Sequence, residues 1–400
     1  MNSRNPIYRP KSPPPWDSEK PYFKGDHYFK DVLNAIRHSR QIVDFEVYIY
    51  EKGLLADRVT SALIQAARRG VKVRLLVDGI GSPDCAADYG EKLKKGGVRF
   101  RVYRRLPPLL NLFSRPFASL FTGKAFYRLR HFWFRVNRRN HRKLVMVDGH
   151  RVWLGGFNVS DEHLESVAGP KAWRDTGLRL SGVKDRAFRL AFNTAWHDQV
   201  HRRLWRFYRR QLIAWLSRKS SANQVQINAT RRLRIRFHRE LLGRLRSARR
   251  RIWVTTPYFV PTLPVLRALL HAALQGRDVR LILPEKSDIP FVRWASMTFF
   301  PPLLKAGCRI FEYHRSILHA KTLLVDDWAL VGSSNFNHRS FLFDLEVDVV
   351  SRKPASLKSL ERQGASDFRR SREIRFVDLK LRPLWTRILT WLFFRLRHWL

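Results

Sequence analysis

Apolar and polar positions change period along the chain in a fixed succession. SRQIVDFEVYIY (39–50) carries a short apolar run of strand length, DRVTSALIQAARRG (57–70) follows with helical spacing, and VKVRLLVDG (71–79) returns to a strand pattern. The same succession recurs as RRRIWVTTPYFV (249–260), LPVLRALLHAALQG (263–276) and RDVRLILP (277–284). Strands alternating with helices predict α/β sheets, and the recurrence predicts two similar lobes. We divide the chain into a lead at 1–20, a first lobe at 21–216, a joint at 217–228, a second lobe at 229–375 and a tail at 376–400.

Each lobe continues into a strand–turn–strand pattern. NHRKLVMVDGHRVWLGGFN covers 140–158 and HAKTLLVDDWALVGSSN covers 319–335. Both read His-x-Lys, four residues, Asp, and a return to Gly-x-x-Asn. Residues two apart on a strand share a face, so His141 points with Lys143 and His319 with Lys321. A turn centred on Gly149-His150 would set Asn158 opposite His141, and the second hairpin would set Asn335 beside His319. Asp148 and Asp326 fall at the turns, about 23 Å from their histidines along an extended strand. They stabilise the turn and touch the chemistry only if the strand bends. Each lobe therefore presents an imidazole, an ammonium and a carboxamide, a set suited to an anionic phosphodiester. A single His-x-Lys is normally a solvated strand edge. Two copies at matched spacing, each preceded by the same elements, point to a shared site.

Composition sharpens the choice of partner. Lys and Arg number 77 against 33 Asp and Glu, a net charge of +44, which calls for an anionic partner: nucleic acid, an acidic membrane surface or a phosphate-bearing substrate. The two cysteines, Cys85 and Cys308, cannot build a disulfide framework or a Cys-rich zinc site, and HExxH is absent. We expect no cofactor and no metal. No apolar run reaches the roughly 20 residues of a spanning helix, and the N-terminus lacks the apolar core of a signal peptide. Residues 103–140 and 288–304 mix Phe, Leu and Trp with Arg, Lys or Pro, as a membrane interface would. LWTRILTWLFFRLRHWL (384–400) wraps into an amphipathic helix suited to lie in an interface, and 201–219 is a weaker version.

These residues resemble the phospholipase D superfamily, whose two HKD motifs match His141/Lys143/Asp148 and His319/Lys321/Asp326. Within it the chain is similar to bacterial cardiolipin synthases, through FEVYIY, ARRGVKVRLLVDGIGS, WRDTGLRLSG, FPPLLKAGCRIFEY and GSSNFNHRSFLFDLEV. The resemblance runs from about Asp26 to Val350. It implies a duplicated mixed-sheet α/β fold with one active site at the pseudo-twofold interface. It implies attack by His141 on phosphorus, proton delivery by His319, and a phosphohistidine intermediate. It places Lys143, Lys321, Asn158, Asn335 and Ser333 on the phosphate, and Asp175 and Glu346 as the acids that orient the histidines. Asp344 and Asp348 share a strand face with Glu346 and compete for that role. Gly156 departs from the family's frequent Ser or Thr. The implied activity is phosphatidyl transfer from one phosphatidylglycerol to another, releasing glycerol, at the cytoplasmic face of the bacterial inner membrane. Water as acceptor, or a nucleic-acid phosphodiester as substrate, are the alternatives. No obligate nucleic acid is expected, and no oligomeric state follows from the residues.

Overall fold

Two mixed β-sheets stack face to face with helices on their outer sides. The computed structural model describes residues 14–105, 138–198, 202–218 and 224–380. The expected amphipathic tail at 384–400, most of the basic–aromatic segment at 103–140 and most of the lead lie outside the described residues.

The first sheet contains β1 (Ser18–Tyr22), β2 (Ile42–Val47), β3 (Lys72–Asp78), β4 (Arg99–Tyr103), β5 (Leu144–Val147), β6 (Arg151–Gly155) and β7 (Gly177–Ser181), in the order β1-β7-β6-β5-β2-β3-β4. The second contains β8 (Val225–Ile227), β9 (Arg251–Thr255), β11 (Asp278–Pro284), β12 (Arg309–Tyr313), β13 (Thr322–Val325), β14 (Trp328–Gly332), β16 (Val347–Ser351) and β17 (Ser371–Ile374), in the order β8-β16-β14-β13-β9-β11-β12-β17. The two orders correspond strand for strand, with β17 added at one edge. A short pair, β10 (Phe259–Val260) with β15 (Phe336–Asn337), sits apart. Residues 225–227, expected in the joint between lobes, instead form β8 and pair with β16, because Val225 and Ile227 bury their side chains between the sheets.

Alternation along the hairpin strands explains the stacking. On β5, Leu144 and Met146 enter a core shared with Leu324, Val331, Val347 and Val349 of the second sheet. Val145 and Val147 face the other way, onto the helices of the first lobe. The helix Leu54–Arg68 supplies that layer with Leu55, Val59, Ala62, Leu63 and Ala66 at helical spacing. Leu263–Leu274 does the same in the second lobe through Val265, Leu266, Leu269, Ala272 and Ala273. The segment 288–304, expected as a membrane contact, gives much of its apolar surface to the core: Val292, Ala295, Phe299, Phe300 and Leu303 are buried in the second lobe, while Phe291 stays 40% exposed.

The first hairpin is offset by one residue from the expected register, and the second falls within one residue of it. Val147 pairs with Arg151, leaving Asp148, Gly149 and His150 as the turn, and Val325 pairs with Trp328 across Asp326-Asp327. Asp148 (φ 51°) and Asp326 (φ 47°) take the left-handed conformation that such turns demand.

Candidate active site

The basic stretch ahead of β5 leaves its own sheet and crosses to the other lobe. Arg139 pairs with buried Asp78 at 2.7 Å, and Asn140 donates to Glu46 at 2.6 Å. The Arg139 amide donates to Asp344 at 3.0 Å. The His141 amide then donates to the Leu345 carbonyl at 3.0 Å, which sets His141 beside Glu346. The second lobe performs the reciprocal step. Arg174 bridges to Leu318 in parallel, and the His319 amide donates to the Arg174 carbonyl at 2.8 Å. Arg174 is itself tied to Asp367 of the second lobe at 2.7 Å.

The consequence is an exchange of partners. His141 Nδ1 lies 3.1 Å from both Glu346 oxygens and 3.1 Å from the Ser333 carbonyl. All are acceptors, so Nδ1 carries the proton and Nε2 keeps its lone pair. His319 Nδ1 donates to Asp175 Oδ2 at 2.6 Å, while its Nε2 faces the Lys321 ammonium at 3.0 Å. Lys143 donates to the His141 carbonyl at 2.9 Å and lies 5.1 Å over the Tyr48 ring. His141, Lys143, His319, Lys321, Asp175 and Glu346 are all buried.

Burial and mutual charge set the protonation of this cluster. Burial and then the Lys321 charge push Lys143 down to about 7, and burial pushes Lys321 down to about 8. Both histidines are held well below the usual imidazole range, by burial first and by the lysines next. The His141 charge is among those acting on His319, so the two rings share one electrostatic site. Burial raises Glu346 to about 7 and also raises Asp175.

The three acids of FLFDLEV separate clearly. Glu346 meets His141. Asp344 meets Arg339 and the Arg139 amide, and Asp348 holds the Ser334 hydroxyl at 2.5 Å and amide at 3.0 Å. Ser333, expected on the phosphate, is fully buried and donates its hydroxyl to Glu346 at 2.5 Å. Its counterpart Gly156 has no room for a side chain: a Cβ there would lie 2.0 Å from Asp175 Oδ1. Asn158 accepts from the Ile49 amide through Oδ1 at 3.2 Å, and the Asn335 side chain is buried nearby with Oδ1 unbonded. The motif aspartates stay at the turns. Asp148 accepts the amides of Arg40, Gln41 and Ile42, and Asp326 those of Arg249, Arg250 and Arg251. Both therefore anchor a turn to the start of a central strand, away from the histidines.

Two residues at the site carry no His-x-Lys signal. His163 is buried beside Asp175, with Nδ1 3.9 Å from its Oδ2, and Trp173 lies 5.4 Å from the His319 ring. His163 and Ser340 each follow the motif asparagine by five residues, and each accepts that asparagine's amide. Aligning the two copies past Gly-x-x-Asn would have flagged the pair. Among the described residues, His163, Asp175 and His319 bring three donor atoms within 4.8 Å of one another. Two of the three donor atoms already bond one another at 2.6 Å, and Lys321 stands against the same ring. We read the trio as a hydrogen-bonded His319–Asp175 pair with the His163 ring packed beside it.

The family model for the PLD-like domain of cardiolipin synthase matches residues 32–168 and 241–367. The cardiolipin synthase of Alkalihalophilus pseudofirmus is 32% identical over 95% of this chain and 72% of its own length. The major cardiolipin synthase ClsA of Bacillus subtilis is 32% identical over 91% of this chain and 71% of its own. Among solved structures, phosphatidylserine synthase of Haemophilus influenzae superposes with a TM-score of 0.66 over 94% of this chain and 93% of its own, at 13% identity. That likeness speaks for the fold alone. With both motif copies matched and the paired sheets in place, the chain belongs to the cardiolipin synthase family with phospholipase D-like domains.

Proposed function

We propose that this protein is a phosphatidyltransferase that joins two phosphatidylglycerol molecules into cardiolipin and releases glycerol. The observation that supports it most is the exchange of partners: each half contributes one histidine and the acid that orients the other half's histidine. His141 Nε2 attacks the phosphorus of the first lipid, and the P–O bond to glycerol breaks. His319, as imidazolium, gives its proton to the leaving alkoxide. It then takes the proton from the second lipid's hydroxyl as that oxygen displaces His141 from phosphorus. Burial and then the lysine charges depress His319 in the empty site, and the bound phosphodiester offsets the lysine charges and so favours the imidazolium when substrate is present. Lys143, Lys321 and the Asn158 and Asn335 amides stabilise the equatorial oxygens. The covalent intermediate divides one displacement into two steps.

The membrane side of the proposal rests on the helix Arg202–Arg218. It contains no acid, and exposes Leu204 (40%) and Phe207 (53%) among Arg203, Arg206 and Arg210. Such a face suits anionic headgroups, with about 1 kcal/mol per cation near the surface, and the anionic cytoplasmic leaflet is the matching surface. No helix among the described residues is long and apolar enough to cross a membrane.

The test is purified protein with phosphatidylglycerol vesicles and product identification by mass spectrometry. Cardiolipin and glycerol in equal amounts are expected, and both should vanish in His141→Ala and His319→Ala. Phosphatidic acid as the sole lipid product would instead make water the acceptor, and no lipid turnover would end the proposal.

A further inference from the structure

The two orienting acids are built differently. Glu346 receives hydroxyls from Ser333 at 2.5 Å and Ser340 at 2.7 Å in addition to His141. Asp175 receives the Thr176 amide at 2.7 Å and His319 at 2.6 Å. Gly156 replaces the first of the two serines and His163 the second. His163 is 1% exposed. Its Nε2 accepts the Asn158 amide at 3.2 Å, so its single proton sits on Nδ1. That N–H has no hydrogen-bond partner and lies 3.9 Å from Asp175 Oδ2. Phe157 at 5.5 Å and Trp173 at 5.4 Å, measured between ring centroids, hold the ring in place.

We propose that His163 is a positioning residue: a buried imidazole whose Nδ1–H is the reserve donor for Asp175. It closes on the carboxylate when His319 exchanges its proton. The inference rests on reading His319–Asp175 as part of the phosphoryl-transfer site. Ser340 shows the same position serving the same purpose, since it accepts its asparagine amide and donates to Glu346. A serine oxygen bonds the longer Glu346 directly, whereas Asp175, one methylene shorter, is approached by a ring. The charged or titratable groups acting on His163 are Asp175, His319, Lys321 and Lys143. Those acting on His319 include Lys321, Asp288, Lys143 and His141. Burial pushes His163 down to about 3, so it keeps its neutral form across the working range.

The experiment is histidine-selective 15N NMR, with sulfate bound, on the wild type and on His163→Phe. His163→Leu serves as a second donor-free variant. In the wild type, His163 should show the Nδ1–H tautomer throughout pH 5–9. Removing the donor leaves Asp175 a stronger base toward His319, so the His319 titration should move to higher pH in the variant. The matching limb of the pH–rate profile should move with it, kcat should fall about tenfold and KM should stay put. His163→Asn, which restores an N–H near the Nδ1 position, should bring the His319 titration back. An Nε2–H tautomer, or an unmoved His319 titration in the donor-free variants, overturns the proposal. The NMR readout needs no turnover, so it stands apart from the identity of the lipid product.

Discussion

His141 Nδ1 meets a carboxylate 205 residues away in the chain, Glu346, at 3.1 Å in the opposite lobe. The reciprocal pair, His319 with Asp175, is separated by 144 residues and meets at 2.6 Å. Neither half therefore holds its own motif histidine against its own acid. The paired site exists only when the two sheets are stacked.

This pairing predicts strong non-additivity. Glu346→Gln should lower kcat about a hundredfold with little change in KM. His141→Ala with Glu346→Gln should be no slower than His141→Ala alone, because both remove one functional unit. Equal, independent losses that multiply in the double variant would contradict the geometry. Steady-state kinetics on the three variants decides it.

Anion binding should depend on pH through the two lysines. Lys143 and Lys321 are pushed down to about 7 and about 8 in the empty site, by burial first. A base depressed in the folded state binds fewer protons there than when unfolded, so the empty protein gains stability as pH rises across this range and loses it as pH falls. Sulfate stays a dianion over pH 5–9 and prefers the protonated lysines. Its apparent affinity should therefore climb as pH drops from 9 to 6, by up to about tenfold per unit for each proton taken up. Calorimetry at several pH values measures it, and Lys143→Met should flatten the slope.

Gly156 should tolerate no side chain. Its Cβ would fall 2.0 Å from Asp175 Oδ1, so Gly156→Ser must displace the acid that orients His319. We expect kcat to fall by more than tenfold. Ser333→Ala, at the matching position, removes a donor to Glu346 without a clash and should cost less. Kinetics of the two variants side by side, with thermal melts to confirm folding, checks the asymmetry.

The motif aspartates should behave as structural anchors. Asp148 collects backbone amides at 40, 41 and 42. Burial alone would raise its carboxyl, but the bonds from Gln41, Ile42 and Arg40 outweigh it and hold the pKa below its ordinary value. Its stabilising contribution is thus present above the unfolded-state pKa and lost as pH falls through the folded one. Asp148→Ala should cost roughly 2 kcal/mol of stability at neutral pH, judged from the worth of hydrogen bonds to a charged group. Activity per folded molecule should largely survive. Denaturant titration, with activity normalised to the folded fraction, distinguishes this from a chemical role.

The sequence by itself determined the repeating strand–helix–strand order, both hairpins, the turn positions of Asp148 and Asp326, and the residue types gathered at the site. These are local properties: periodicity, turn chemistry and spacing are written within a few residues of one another. It also selected Asp175 and Glu346, through family resemblance. Only the tertiary structure decided which acid serves which histidine, because that follows from backbone bridges at Asn140–Leu345 and Arg174–Leu318. It likewise turned the Ser333 hydroxyl onto Glu346, made Val225–Ile227 an edge strand, folded much of 288–304 into the core, and set His163 beside Asp175. Such facts depend on contacts between residues far apart in the chain, where burial and the direction of a side chain, rather than its type, choose the partner.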